Sequence, residues 1–216
     1  MSLSAAPHHR VLADVVVPSR SRALAWATDA ALVVAGTALV AVAAQIAIPF
    51  WPVPLTAQTF AVLLVGVALG PLRGTAALGL YLVIGVLGVP AFAEGKSGSL
   101  FALTTGGYII GFVVAAALVG WLARRAWDRK VLGMFVTYVS GSAVIYAFGL
   151  PWLYVSLSNL GPAVWQDALG YDTLIGATLG AGMFPFLLGD LLKAVLAAAL
   201  VPLVWKGVHA IDARKK

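Results

Sequence analysis

Two ionisable residues, Asp190 and Lys193, lie inside a long apolar run near the end of the chain. A charged side chain at the centre of a membrane helix costs about 2.5–3.5 kcal/mol on insertion scales, so some interaction must compensate for both charges. The i,i+3 spacing places the two side chains on one face of a helix. Because a carboxylate accepts N–H bonds and an ammonium donates to oxygen, the pair predicts either a site for a polar ligand or a structural ion pair, and we favour the ligand site.

A second charged stretch, Glu94-Gly-Lys96-Ser, resembles part of a phosphate-binding loop. The match is incomplete because the motif requires a glycine at position 90, where this chain has Pro90. Two interpretations remain open. The stretch is either a solvated loop tip or a lid that brings Glu94 or Lys96 to a bound ligand.

Other candidate residues are glycines and uncharged polar or aromatic side chains. Gly106 and Gly107 allow the backbone to approach either a ligand or another helix closely, and Tyr108 adds an aromatic face and a hydroxyl. A tight turn followed by an interfacial tyrosine explains the same three residues. Thr56 and Gln58 follow two prolines, and we expect Thr56 to cap the next helix and Gln58 to face a cavity.

The sequence lacks the motifs of several classes of enzyme. The chain has no cysteine, and its three histidines, His8, His9 and His209, lie in the tails. It has no complete Walker A loop, no H-E-x-x-H or G-x-S-x-G motif and no evident nucleophile–base pair. The sequence therefore predicts neither an enzyme nor a metal or cofactor site, and any uphill transport must draw its energy from a gradient or a partner.

The elements that position these residues follow from the composition. Of the 216 residues, 62% are apolar and 10% are charged, whereas a soluble domain has about 45–50% and about 25%. This excludes a soluble enzyme, a disordered chain and a nucleic-acid-binding module. A membrane-spanning helix needs about 20 mostly apolar residues. The runs near 30–48, 56–70, 74–90, 105–123, 131–154 and 183–204 predict an all-α integral membrane protein with six transmembrane helices.

The basic residues predict the orientation of these spans. The net charge is +6, and twelve of the 14 lysines and arginines fall on one side of the membrane when six spans alternate. Lys96 and Lys193 are the exceptions. Because short cytoplasmic segments carry an excess of Lys and Arg, both termini are predicted to be cytoplasmic. We divide the chain into an N-terminal tail (1–29), a membrane domain (30–204) and a C-terminal tail (205–216).

Small residues recur every four positions along the first span, and Ala27, Ala31 and Ala35 belong to this series. Small-xxx-small patterns allow membrane helices to pack closely. The partner is either another helix of this chain or a helix of another subunit.

Several blocks of sequence resemble the BioY family, the biotin-binding S components of energy-coupling factor (ECF) transporters. Pro52-Val-Pro-Leu-Thr-Ala-Gln-Thr is similar to the VPxTxQT stretch of that family. Further blocks follow in the family's order: Gly70-Pro-Leu-Arg-Gly, Gly88-Val-Pro-Ala-Phe-Ala, Thr105-Gly-Gly-Tyr-Ile-Ile-Gly-Phe, Gly149-Leu-Pro-Trp-Leu and Pro185-Phe-Leu-Leu-Gly-Asp-Leu-Leu-Lys-Ala. The resemblance extends from about 30 to 204.

This resemblance implies a six-helix membrane domain of the ECF S-component type that binds biotin near the outer face of a bacterial plasma membrane. It implies that Asp190 and Lys193 contact biotin and that the loop after Phe92-Ala93 closes over it. The alanine series resembles the surface with which family members dock the transmembrane coupling subunit. That subunit and two ATPases then drive uptake, and no cofactor besides the ligand is implied.

Three other functions are compatible with parts of the sequence. An S component for another small vitamin would share the fold. A membrane-embedded enzyme would need a catalytic pair or a metal triad, and neither is evident. A purely structural subunit would leave the charged pair without a role.

Overall fold

The structure, a computed structural model, describes residues 10–16 and 22–213. Helices make up most of this part of the chain. They are a short α1 (Leu12–Val16) and the longer α2 (Arg22–Gln45), α3 (Gln58–Val86), α4 (Gly106–Arg124), α5 (Val131–Leu160), α6 (Leu174–Gly182) and α7 (Phe184–Ala213). An antiparallel hairpin of β1 (Ala47–Ile48) and β2 (Leu55–Thr56) joins α2 to α3. Short 3₁₀ turns span Ala93–Gly95, Leu100–Ala102 and Trp127–Arg129, and a π-helical turn spans Ala163–Ala168.

The helices confirm a multi-pass membrane protein. Within residues 10–16 and 22–213, five segments are long and apolar enough to cross a membrane: Leu24–Gln45, Gln58–Val86, Gly106–Arg124, Val131–Leu160 and Leu174–Val208. This count differs from the six predicted spans because most of the run 56–70 and most of the run 74–90 belong to the single helix α3.

Helix α3 bends back on itself at Gly70. That glycine has φ +82° and ψ 178°, outside the helical region, and Pro71 follows it. The Gln58 side-chain amide donates to the Tyr81 hydroxyl at 2.7 Å. In a straight helix, 23 residues would separate the two by roughly 35 Å. The two arms of α3 therefore run antiparallel, and they correspond to the second and third predicted segments.

Several helix boundaries differ from the predicted ones for local reasons. Helix α2 ends at Gln45 because residues 47–48 pair with 55–56 in the hairpin. The second arm of α3 ends at Val86, before a left-handed Gly88 (φ +102°). Helix α5 continues through Pro151, which membrane helices tolerate when neighbouring groups satisfy the freed carbonyl.

Small residues set the spacing between the central helices. A Cβ on Gly66 would lie 2.9 Å from the backbone of Ala116, and one on Gly120 would lie 2.5 Å from Pro71. Close approach of this kind is how membrane helices pack in the absence of a hydrophobic driving force. The outward faces remain apolar, as Leu188 at 69% and Leu192 at 59% exposure illustrate.

The turn between α4 and α5 is fastened to α7. Asp128 is fully buried and accepts a hydrogen bond of 2.6 Å from the Trp205 indole. The Arg129 guanidinium lies 4.4 Å from the centre of the same ring. Burial raises the pKa of the Asp128 carboxyl above its ordinary 3.8, and the Trp205 hydrogen bond opposes that rise.

At the same end of the bundle, Arg73 follows the bend of α3 and joins three elements. Its guanidinium pairs at 2.7 Å with Asp14 of α1 and at 2.7 Å with Asp29 of α2. Arg73 and Arg129 therefore lie at the opposite end of the bundle from Asp190.

Candidate ligand-binding site

A cavity lies among α3, α4, α5 and α7 at the end where α4 begins. Its empty volume, with the open mouth and adjoining solvent included, is about 630 Å³. Its wall is mostly apolar and aromatic, with a few polar groups. It is lined by Val53, Pro54, Thr56, Gln58, Thr59, Ala93, Thr105, Tyr108, Ile109, Phe112, Ser142, Ile145, Tyr146, Phe186, Asp190 and Lys193.

Asp190 and Lys193 form an ion pair on the wall of this cavity. The Lys193 Nζ lies 3.4 Å from the Asp190 Oδ1, as the i,i+3 spacing on α7 predicts. Asp190 is buried, with 7% of its surface exposed, and the Lys193 side chain is 24% exposed. Both charges therefore face the cavity from within the bundle.

Neighbouring helices complete the hydrogen bonding of the pair. Lys193 Nζ donates to the Thr59 hydroxyl at 2.8 Å and to the Thr56 carbonyl at 3.0 Å. Asp190 accepts from the Tyr146 hydroxyl at 2.5 Å and from the Thr59 hydroxyl at 3.3 Å. Buried charges persist only when paired and hydrogen-bonded, so these contacts compensate for the cost of placing both groups in the bundle.

The chain delivers these partners from three places. Strand β2 ends at Thr56, and α3 begins two residues later, so Thr56 and Thr59 stand at the same helix start. Tyr146 comes from the middle of α5. Asp190 lies in the second turn of α7, which begins at Phe184.

Tyr108 lines the cavity as well. Its hydroxyl donates to the carbonyl of Gly182 at 2.8 Å, and its ring meets that of Tyr146 edge-on at 6.5 Å. Gly106 and Gly107 precede it but are not among the lining residues. A Cβ on Gly107 would lie 2.3 Å from the Cβ of Trp152, so these glycines allow α4 to pack against α5. Direct ligand contact by Gly106 and Gly107 stays a prediction.

Thr56 and Gln58 both line the cavity. The N-cap residue of α3 is Ala57, which makes no side-chain capping bond, and Thr56 lies one residue before it. The Thr56 hydroxyl accepts from the Gln58 backbone N–H at 3.2 Å. Because the Gln58 amide also donates to Tyr81, it joins the two arms of α3 beside the cavity.

Glu94 lies in the loop between α3 and α4, and its carboxylate pairs with Lys96 at 2.7 Å. Its backbone is left-handed, with φ +60°. The neighbouring Ala93 lines the cavity, whereas Glu94 does not. A ligand contact by Glu94 stays a prediction.

Sequence reasoning did not assign Tyr146 or Ser142 to the site. Both lie on α5, and with Tyr138 they form a series of hydroxyls spaced four residues apart. That spacing on an apolar helix is the signal that could have identified them. The buried hydroxyls of Ser142 and Tyr138 have no hydrogen-bond partner within the described part of the chain.

The alanine series lies elsewhere on the molecule. Ala27, Ala31 and Ala35 are all exposed on α2. This surface is therefore free to contact another protein, and the docking role stays a prediction.

Comparison with known proteins identifies the family. The model of the BioY family matches residues 15–210. The biotin transporter BioY of Thermotoga maritima is 35% identical over 165 residues, covering 76% of this chain and 88% of the relative. The biotin transporter BioY of Rhizobium etli is 32% identical over 177 residues, covering 78% and 87%.

A solved structure has the same fold. The crystal structure of the S-component for biotin from an ECF-type ABC transporter superposes with a TM-score of 0.67 at 22% identity, covering 87% of this chain and 95% of that one. The architecture of α2 to α7 is thus that of an ECF S component. With the family model matching most of the chain and relatives above 30% identity, the chain belongs to the BioY family.

Proposed function

We propose that this protein is the biotin-binding subunit of an ECF transporter. Biotin enters the cavity from outside the cell, and the partner coupling subunit and ATPases supply the energy for its release inward. The observation that carries the proposal is the Asp190–Lys193 pair on the wall of an otherwise apolar cavity. The names of the relatives support biotin as the ligand.

The charges of the pair favour the ureido ring of biotin over its carboxylate. In a cyclic urea, each N–H lies beside the C=O, so the N–H can donate to Asp190 while the oxygen accepts from Lys193. A ligand carboxylate on Lys193 would come close to Asp190, whose Oδ1 is 3.4 Å from that ammonium. Two like charges 4 Å apart repel by about 4 kcal/mol at an effective dielectric constant of 20. The ureido ring is therefore assigned to the pair and the valerate chain to the mouth.

The apolar wall suits the rest of the ligand. Tyr108, Phe112, Ile145 and Phe186 surround the space beside the pair. These side chains pack on the thiophane ring and the alkyl chain, as in small-molecule sites that combine an apolar wall with a few placed polar groups. Binding and release involve no covalent step, so the protein acts as a carrier and not as an enzyme.

The membrane placement follows from the position of the basic residues. We assign six crossings by counting each arm of α3 as one span, since the bend at Gly70 reverses the chain. The end that carries Arg73, Arg124 and Arg129 then faces the cytoplasm, together with both termini. The cavity opens on the outer face of a bacterial plasma membrane.

The exposed alanines of α2 supply the docking surface. Ala27, Ala31 and Ala35 present a smooth strip to the bilayer, against which a helix of the coupling subunit packs. An S component for another vitamin is the competing function, but no feature of the site favours it.

The test compares biotin with two analogues on the purified protein in detergent. Biotin amide removes the carboxylate charge, and 2-iminobiotin replaces the urea by a guanidinium. We expect biotin amide to bind about as tightly as biotin. Protonated 2-iminobiotin should bind at least tenfold more weakly, because the oxygen that accepts from Lys193 is replaced by an N–H donor. The reverse order would place the carboxylate at the pair, and failure of all three to bind would exclude a biotin site.

A further inference from the structure

The loop of residues 91–96 forms part of the cavity wall. Its base is buried, with Ala91 at 3% and Phe92 at 1% exposure, and the Phe92 ring packs edge-on against Tyr81 at 5.5 Å. Ala93 lines the cavity. The tip at Glu94 and Lys96 is exposed. The loop is thus buried at its base and exposed at its tip.

One side chain outside the loop forms hydrogen bonds to the backbone on both sides of Glu94. Gln45, the last residue of α2, donates through Nε2 to the carbonyl of Phe92 at 3.1 Å and to that of Ala91 at 3.4 Å. Its Oε1 accepts from the backbone N–H of Gly95 at 3.0 Å. The same Nε2 also lies 3.1 Å from the Ala41 carbonyl.

The backbone of the loop is shaped to meet this amide. Glu94 and Gly95 are both left-handed, with φ +60° and φ +68°. The tight turn that they form directs the Gly95 N–H back to α2 while the Phe92 carbonyl faces the same side chain. A carboxamide satisfies both groups because it carries donors and an acceptor, whereas a carboxylate offers only acceptors.

We propose that Gln45 is a positioning residue that holds the loop 91–96 closed over the cavity and slows the escape of the ligand. The proposal rests on the proposed function in taking biotin as the ligand.

The first test is the rate at which radiolabelled biotin leaves the purified protein after a chase with unlabelled biotin. Gln45→Ala should increase the dissociation rate about tenfold, since it removes the hydrogen bonds from α2 to the Ala91, Phe92 and Gly95 backbone. The association rate should rise as well, because the same hydrogen bonds hold the loop over the cavity before the ligand enters. Gln166→Ala, at an exposed position far along the chain, is the matched control and should dissociate like the wild type.

A second variant separates the loss of the Gln45 hydrogen bonds from a simple loss of packing. Gln45→Glu keeps the side-chain length and the acceptor for Gly95 but loses the donors to the loop carbonyls. Its dissociation should be faster than that of the wild type. Dissociation at the wild-type rate in both variants would overturn the proposal.

The second test measures the mobility of the loop in the absence of a ligand. Because the chain has no cysteine, Ser97→Cys provides a single site for a nitroxide label at an exposed loop position. The label should give a broad, slow-motion spectrum with Gln45 present and a sharper one with Gln45→Ala. Identical spectra would show that Gln45 does not hold the loop. A wild-type protein that binds no biotin would refute the proposed function but would leave this measurement valid.

Discussion

Replacing Asp190 by asparagine removes one charge from the site and converts one of its two acceptor oxygens into an N–H donor. Asparagine has nearly the same shape and keeps one oxygen that accepts hydrogen bonds. Asp190 is 7% exposed and receives hydrogen bonds from Tyr146, Thr59 and Lys193, so its side chain has little freedom to move. The effect of the substitution on binding therefore reports the charge of this carboxylate together with the loss of one acceptor.

The size of the effect follows from the hydrogen bond that Asp190 accepts from the ligand. Hydrogen bonds to charged groups contribute about 1.5–3 kcal/mol, and neutral ones about 0.5–1.5 kcal/mol. The difference of about 1–1.5 kcal/mol corresponds to roughly a 5- to 13-fold increase in Kd. We therefore expect Asp190→Asn to weaken biotin binding about tenfold. Lys193→Ala should have an effect of the same size, because it removes the donor to the ureido oxygen.

Isothermal titration calorimetry in detergent measures these changes. Asp167→Asn, at an exposed position outside the cavity, is the matched control and should bind like the wild type. The double variant of Asp190 and Lys193 should lose less than the sum of the single losses, since each residue holds the other in place. Wild-type affinity in folded Asp190→Asn and Lys193→Ala would refute the assignment of the site.

Three further changes test other parts of the molecule. Tyr146→Phe removes the hydroxyl that donates to Asp190 and should raise the Kd for biotin about 5- to 20-fold in calorimetry. Tryptophan at Ala31 and Ala35 should abolish co-purification with the coupling subunit and leave biotin binding intact. Asp128→Asn should flatten the pH dependence of the melting temperature: burial raises the pKa of this carboxyl above 3.8, so the stability linked to its protonation is present below that pH and is lost as the pH rises.

Each of these expectations has a contrary result. Unchanged affinity in Tyr146→Phe would mean that Asp190 holds its position without the hydroxyl. Loss of biotin binding in the tryptophan variant would make the alanine strip an internal packing surface. A melting temperature that varies with pH in Asp128→Asn as it does in the wild type would show that Asp128 does not control that dependence.

The chemistry of the site was predictable where it depended on local spacing. Asp190 and Lys193 are three residues apart on one helix, so their contact follows from helical geometry. Tyr146 joins them from 44 residues away along the chain. That contact depends on how α5 packs against α7, which no local pattern specifies.

The fold shows the same division. The apolar runs on either side of Gly70 predicted two segments, and the reversal at that glycine separates them into two arms of α3. The hairpin of β1 and β2 was missed because Ala47–Ile48 continues an apolar run, and its pairing partner lies beyond two prolines. Gly106 and Gly107 fitted either a ligand or a helix at close range, and the contact that the structure shows, with Trp152 of α5, depends on helix packing that no local pattern specifies.

The cavity beside Asp190 and Lys193 is the proposed biotin site. Calorimetry of the purified chain, with biotin and with desthiobiotin, tests this most directly. We predict saturable binding of one biotin per chain, and weaker binding of desthiobiotin, which keeps the urea and the carboxylate but lacks the thiophane ring that packs on the apolar wall. If the folded protein gave no saturable heat with biotin, the cavity would not be a biotin site.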